Sequence, residues 1–156
     1  MSAVEKPHIM IVTSRFYPEI ADQLLNGAVA AIEKAGGAHE VFDVPGAFEV
    51  PAAVQMAVRS MDFVTGRRRF DGYVALGCVI RGETIHFEIV SQESARALQD
   101  LACRYTLALG NGILTVDTYA QAFERAAVDR QDKGGEAARA CLRMIELKQH
   151  FRLYPR

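Results

Sequence analysis

Tyr73-Val74-Ala75-Leu76-Gly77-Cys78-Val79-Ile80 carries no charge and no alternating polar position. A strand of this kind is buried on both faces, as in a parallel sheet covered by helices. Arg81-Gly82-Glu83-Thr84-Ile85-His86 follows as a loop, and Phe87 to Leu109 then reads as a long helix. Val90, Ser94, Ala97, Leu101, Tyr105 and Ala108 fall on one face of that helix. One buried strand, one loop and one helix make the repeating unit of an α/β protein.

The same unit recurs on either side. His8 to Thr13 is a β-branched strand, and Pro18 opens a helix with Ile20, Leu24, Ala28, Ala31 and Ala35 at helical spacing. Gly36-Gly37 ends it. Glu40 to Val44 is a second strand, closed by Pro45-Gly46, and Ala52 to Met61 a second helix with Pro51 in its first turn. Gly66 with Arg67-Arg68-Arg69 reads as a solvated loop, since three adjacent side chains cannot all face one ligand. Gly112 to Val116 is the fourth strand, and Tyr119 to Ala127 a short helix. Lys133-Gly134-Gly135 breaks the chain before a last helix over Glu136 to His150, with Ala137, Ala140, Cys141, Met144 and Leu147 inward. The order predicts one domain over residues 1–156 of the α/β class: a three-layer αβα sandwich on a four-stranded parallel sheet, flavodoxin-like.

Composition narrows the function. Of 156 residues, 50% are hydrophobic and 24% charged, and the net charge is -1. This balance excludes disorder and argues against a nucleic-acid binder, which carries a basic excess. The first apolar run, Ile9-Met10-Ile11-Val12, is too short for a signal-peptide core, and no stretch spans a bilayer. Cys78, Cys103 and Cys141 have neither disulfide-framework nor zinc spacing, which points to a reducing cytoplasm and to no metal.

Ligands of such sheets bind at the carboxyl ends of the strands. The loops there are Ser14 to Tyr17, Pro45 to Glu49, Arg81 to His86 and the segment after Val116. No Gly-x-x-x-x-Gly-Lys-Ser/Thr and no Gly-x-Gly-x-x-Gly after a strand is present, and Gly110-Asn111-Gly112 precedes a strand instead. The densest polar cluster is Arg81 to His86. At a helix start the free N–H groups suit a phosphate, and Gly82 permits close backbone approach. Thr84 either caps the helix or donates to an anion. Local sequence leaves two readings level, a phosphate site and a capped helix with a surface histidine. His86 is the only one of four histidines on a carboxyl-edge loop, so it is the candidate for proton transfer. Glu49 either accepts hydrogen bonds from hydroxyls or amines or serves as a stabilising helix-start carboxylate, and Phe16 either stacks on a flat ring or covers the core. Arg125 and Lys133 read as solvated helix charges. No lysine lies in an apolar strand, so a Schiff-base lysine is not expected, and Cys78 reads as inert packing.

Taken together, the blocks Val44 to Glu49, Leu76 to Phe87, Asn111 to Val116, Gln121 to Ala126 and Lys133-Gly134 resemble the 6,7-dimethyl-8-ribityllumazine synthase family, in order and spacing and over nearly the whole chain. The resemblance implies a transferase of riboflavin biosynthesis. It condenses 5-amino-6-(D-ribitylamino)uracil with 3,4-dihydroxy-2-butanone 4-phosphate, releases phosphate and water, and uses no cofactor. It also implies residue roles. Phe16 stacks on the pyrimidine; Ala47, Phe48 and Glu49 hold that substrate along its ribityl chain; Cys78, Val79 and Ile80 line the ring pocket. Gly82, Glu83 and Thr84 bind the phosphate with Arg125, and His86 transfers protons. Asn111, where many members carry Phe, Arg125 and the supporting Lys133 face the site from a neighbouring subunit. The implied assembly is a homopentamer, with a sixty-subunit capsid as the alternative, and riboflavin synthase is the implied pathway partner. Capsid-forming members usually carry a Gly-Thr-Lys-x-Gly-Asn-like turn before the lysine, and here it is Ala127-Val128-Asp129-Arg130-Gln131-Asp132. A non-catalytic flavin- or ribityl-binding protein is the alternative function. It would keep Phe16, Glu49 and the ring pocket without needing His86 or Arg125.

Overall fold

Residues 6–63 and 69–153 are described by the structure, a computed structural model. Strand β1 (His8–Ser14) leads to helix α1 (Pro18–Lys34), β2 (Ala38–Val44) and α2 (Val50–Ser60). Then come β3 (Gly72–Ile80), α3 (His86–Tyr105), β4 (Leu109–Val116), α4 (Tyr119–Ala126) and α5 (Lys133–His150). Single 3₁₀ turns at Ala47–Glu49 and Met61–Phe63 flank α2.

All strand pairs are parallel, in the order β2-β1-β3-β4. β1 therefore sits inside the sheet, and its side chains feed both cores by simple alternation. Ile9 and Ile11 join α1, α4 and α5 on one face, with Ile20, Leu24, Ile32, Ala126, Ala137 and Cys141. Met10 and Val12 join α2 and α3 on the other, with Val50, Val54 and Leu98. The three-layer sandwich expected from the sequence is the architecture found.

Several boundaries differ from expectation. β2 begins at Ala38 and β4 at Leu109, so Asn111 lies within a strand rather than before one. α3 ends at Tyr105 because Thr106 takes a left-handed φ of 56° and the Leu107 N–H turns back to Ala102 O at 2.9 Å. Tyr105 is exposed and Ala108 is buried in the connection, so neither belongs to the helix's inward face. That face is Val90, Ser94 and Leu98. In α1, Ile32 is buried, whereas Ala35 is the exposed residue after the last turn.

The largest correction concerns α5. Lys133, Gly134 and Gly135 form its first turn instead of interrupting the chain. Asp132, at φ 47°, caps it, its Oδ1 accepting from the Gly135 N–H at 3.3 Å. The glycines are needed for contact. A Cβ on Gly134 would land on the Leu24 carbonyl of α1, and one on Gly110 of β4 would land on the Ala137 carbonyl. α5 is thereby seated directly on α1 and β4, with Ala138 and Ile145 buried where Ala140 and Met144 had been expected. Of the expected basic loop, Gly66-Arg67-Arg68 lies outside the described residues. Arg69 is exposed and its guanidinium stands 5.5 Å from the Phe70 ring centroid.

The backbone contact at Gly110 cannot rotate away from an added methyl. Gly110→Ala is expected to cost about 3 kcal/mol, the upper end for overpacking. For a chain of this size that lowers Tm by roughly 10 °C in a thermal melt. Gly82→Ala meets open space, so its Tm is expected to stay within about 2 °C, as for an exposed substitution.

Candidate functional site

The chain leaves β1 toward β2, then returns across it to β3. Connections diverge above the carboxyl ends of β1 and β3, which is where open α/β sheets bind ligands. A cavity of about 520 Å³ opens there. The loop after β1 supplies Phe16 and Tyr17. The loop after β2 supplies Pro45 through Glu49, β3 supplies Cys78, Val79 and Ile80, and the next loop and α3 supply Gly82, Thr84, His86, Phe87, Ile89 and Val90.

Each wall has a local cause. Pro18 starts α1 immediately after Tyr17, so Phe16 is held on a short connection and remains 69% exposed. Its ring meets Tyr17 edge-on at 5.0 Å between centroids. Pro45-Gly46 ends β2, and the 3₁₀ turn tucks Ala47 inward while Phe48 stays 54% exposed. The Glu49 carboxylate lies back over that turn, its Oε2 3.2 Å from where a Gly46 Cβ would stand. Two large aromatic faces left open on one pocket make a surface for a flat ligand.

At the third wall, α3 starts with Ile85 at its N-cap position and no side-chain cap there. Thr84 Oγ1 accepts from the His86 N–H at 3.3 Å, and the Glu88 and Ile89 N–H groups turn back to the Ile85 carbonyl. The helix thus presents the positive end of its dipole beside Gly82, Thr84 and His86. Gly82 has open space where a Cβ would stand and no left-handed φ, so neither packing nor backbone conformation requires glycine there.

The thiol in the pocket is quiet. Burial pushes the Cys78 pKa up to about 12 and that of Cys141, in the core, to about 12 as well. Burial, with Cys78 adding to the effect, also raises the Tyr17 hydroxyl above its usual value. At neutral pH these groups are uncharged. The described residues contain no cluster of His, Cys, Asp and Glu able to hold a metal ion, and no described helix is long and apolar enough to cross a membrane.

The cavity brings together Phe16, Ala47, Phe48, Glu49, Cys78, Val79, Ile80, Gly82, Thr84 and His86. Glu83 is exposed on the same loop but does not line it. Asn111, Arg125 and Lys133 are elsewhere in the chain. Asn111 Oδ1 accepts from the Ile113 N–H at 3.0 Å, in the first half of the edge strand β4. Arg125 donates to the Gln121 carbonyl at 3.1 Å, within α4. Lys133 Nζ pairs with Glu136 at 2.8 Å on the first turn of α5. Tyr17, Phe87 and Ile89 line the cavity without having been singled out from sequence. Their positions, directly after Phe16 and in the first turn of a carboxyl-edge helix, were the available signal.

Fold and site together define a doubly wound α/β protein with a largely apolar carboxyl-edge pocket, walled by two aromatics and a helix start. The family model described as 6,7-dimethyl-8-ribityllumazine synthase matches residues 6–149. A protein of Rhizobium meliloti named 6,7-dimethyl-8-ribityllumazine synthase 1 is 55% identical over 151 residues, covering 97% of each chain. Proteins named 6,7-dimethyl-8-ribityllumazine synthase from Bartonella tribocorum and Agrobacterium fabrum are 54% and 55% identical. They cover 94% of this chain and 93% and 97% of their own lengths. The chain belongs to the 6,7-dimethyl-8-ribityllumazine synthase family.

A raised thiol pKa means that the reactive thiolate forms only as pH approaches the raised value. Alkylation of the native protein at pH 9 is therefore expected to label exposed Cys103 and to spare Cys78 and Cys141. Mass mapping of the labelled cysteines checks this. Unfolding in denaturant should release all three.

Proposed function

We propose that this chain is the enzyme that joins 5-amino-6-(D-ribitylamino)uracil to 3,4-dihydroxy-2-butanone 4-phosphate, giving 6,7-dimethyl-8-ribityllumazine, phosphate and water. The observation that carries the reading is one cavity where exposed aromatic faces and Glu49 stand opposite a helix start bearing Thr84 and His86. A planar, hydroxyl-rich substrate suits the first side, and a phosphate ester suits the second.

The division of labour follows from chemistry. Phe16 stacks on the pyrimidine, and Ala47, Phe48 and Glu49 take the ribityl chain through backbone groups and the carboxylate. Cys78, Val79 and Ile80 border the ring; a protonated thiol there packs without attacking. The nucleophile is the substrate's own amine, so no side chain has to become one. Holding two reactants together can contribute on the order of 7–11 kcal/mol to the rate. His86 moves protons as the amine adds to the ketone and as water leaves, an effect typically worth ~10²–10⁴-fold for general acid–base catalysis. Gly82, Glu83 and Thr84 receive the phosphate at the helix start, where negative charge grows as it departs.

Among the described residues, no arginine or lysine lines the cavity. Arg125, whose fork suits phosphate, supplies the cation from a neighbouring subunit in this reading, together with Asn111 and Lys133. The functional unit is then a homopentamer, acting in the cytoplasm and passing its product to riboflavin synthase. The turn from Ala127 to Asp132, which lacks the glycines of capsid-forming members, favours the pentamer over sixty subunits. It closes on itself, the Arg130 and Asp132 N–H groups bonding the Ala127 carbonyl at 3.0 and 3.1 Å.

Formation of the lumazine chromophore from the two purified substrates tests the reading. The native protein should form it well above the uncatalysed rate. Arg125→Ala should lose about 10²–10³-fold, as for removal of a donor to developing charge. His86→Ala should lose less, roughly tenfold to 10²-fold, because the condensation proceeds slowly unassisted. A native protein that binds the pyrimidine or a flavin but forms product only at the uncatalysed rate would replace the enzyme with the binding-protein reading. Sedimentation equilibrium is expected to give the mass of five chains, and a sixty-subunit mass would overturn the pentamer.

A further inference from the structure

Arg81 opens the loop that bears the phosphate and proton-transfer groups, yet its side chain does not line the cavity. It is held by three groups instead. Its Nε donates to Asp117 Oδ1 at 2.8 Å, a terminal nitrogen stands 3.6 Å from Glu88 Oε1, and its guanidinium carbon lies 4.6 Å from the Phe87 ring centroid. The Arg81 backbone N–H donates to the Val116 carbonyl at 2.9 Å, extending the β3–β4 ladder beyond Ile80. Asp117 is anchored in turn. Its N–H donates to Gln121 Oε1 at 2.7 Å, and Gln121 is half of the capping box that starts α4 with Thr118.

These contacts make a continuous brace from the start of α4, through Asp117 and Arg81, to the first turn of α3. Between its ends, residues 82 to 86 are all exposed. Among the described residues, the side-chain hydrogen bond within that stretch is from the His86 N–H to Thr84 Oγ1 at 3.3 Å. The placement of this segment therefore depends on where its two ends are fixed. Phe87, gripped by Arg81, is also a wall of the cavity.

We propose that Arg81 is a positioning residue for the phosphate-bearing substrate, bracing the segment from Gly82 to His86 by bridging Asp117 at the end of β4 to Phe87 and Glu88 in the first turn of α3. This rests on the function proposed above. Arginine is suited to this role. Its planar group stacks on a ring while its N–H groups reach two carboxylates, whereas a lysine ammonium does not serve both. A solvent-exposed ion pair adds little to stability. Its consequence here is geometric, and the two substrates read it differently. The pyrimidine side is walled by the loops after β1 and β2 and the end of β3, and Tyr119 in the first turn of α4 meets Tyr17 there at 6.4 Å between ring centroids, a looser link than the contacts Arg81 makes to α3.

Steady-state kinetics on the assembled native enzyme, Arg81→Met, Arg81→Lys and Asp117→Asn separate this from a general loss of structure. In both Arg81 variants KM for the butanone phosphate should rise about tenfold, within the range that small misplacements cost. KM for the ribitylaminopyrimidine should change less than about twofold, and sedimentation should be unchanged. Asp117→Asn should move in the same direction by a smaller factor. If Arg81→Met fails to assemble, Asp117→Asn decides alone, since it leaves the stack on Phe87 in place. Equal rises in both KM values, no rise in either, or native kinetics in Arg81→Lys would overturn the proposal while leaving the enzyme reading intact. A native protein that forms no lumazine would overturn both.

Discussion

The parallel pairing of β1 on both of its edges is the constraint from which the rest follows. His8 to Ser14 pairs along its whole length with Ala38 to Val44, and Ile9 to Thr13 pairs with Gly72 to Leu76. Such a strand can be satisfied only inside a sheet whose faces are both covered. Its alternation sends Ile9 and Ile11 to one helix layer and Met10 and Val12 to the other. Because the connections out of β1 and into β3 run to opposite sides, the space above their carboxyl ends stays open. The pocket is thus a consequence of strand order, and the loops that wall it need only supply the right side chains.

Those side chains suit a reaction that relies on placement. Among the described residues no lysine lines the pocket, and burial keeps the Cys78 thiol protonated. Its polar side chains are few: Tyr17, Glu49 and Cys78, with Thr84 and His86 at a helix start. Sparse, separated polar groups in an apolar cavity orient a ligand without competing for its reactive amine. In the function proposed above, negative charge grows on the departing phosphate, and a cation from a second subunit would add to the helix start there. Phe16 and Phe48, each more than half exposed, both line this cavity and leave their rings open to a ligand.

Much of this was legible from the order of residues. The uncharged run from Tyr73 to Ile80 and the β-branched run from His8 to Thr13 declare buried parallel strands, and the carboxyl-edge rule then names the right loops. What failed were readings that depend on contacts distant in sequence. Gly134-Gly135 resembles a helix breaker by propensity. It is a helix start because the Leu24 carbonyl of α1 approaches Gly134 so closely that no side chain fits, and because Asp132 caps the helix through the Gly135 N–H. The apolar residues Leu107 and Ala108 continue the pattern of α3, but the left-handed Thr106 ends the helix first. Asn111 reads as a loop residue because glycines flank it, though it pairs with Ala75 inside β4. Arg125 and Lys133 read as solvated helix charges, and the structure places both away from the cavity, paired within α4 and α5.

The central claim is that one chain's pocket is completed by the next chain's cations, and subunit mixing addresses it most directly. One variant disables its own pocket with Glu49→Ala and His86→Ala, and the other disables the donated group with Arg125→Ala. Each alone should be nearly inactive. Random co-assembly of equal amounts should restore about a quarter of the native lumazine-forming sites, because each restored site pairs an intact pocket with an intact neighbour across a cyclic interface. Activity no greater than the average of the two separate assemblies would contradict the account.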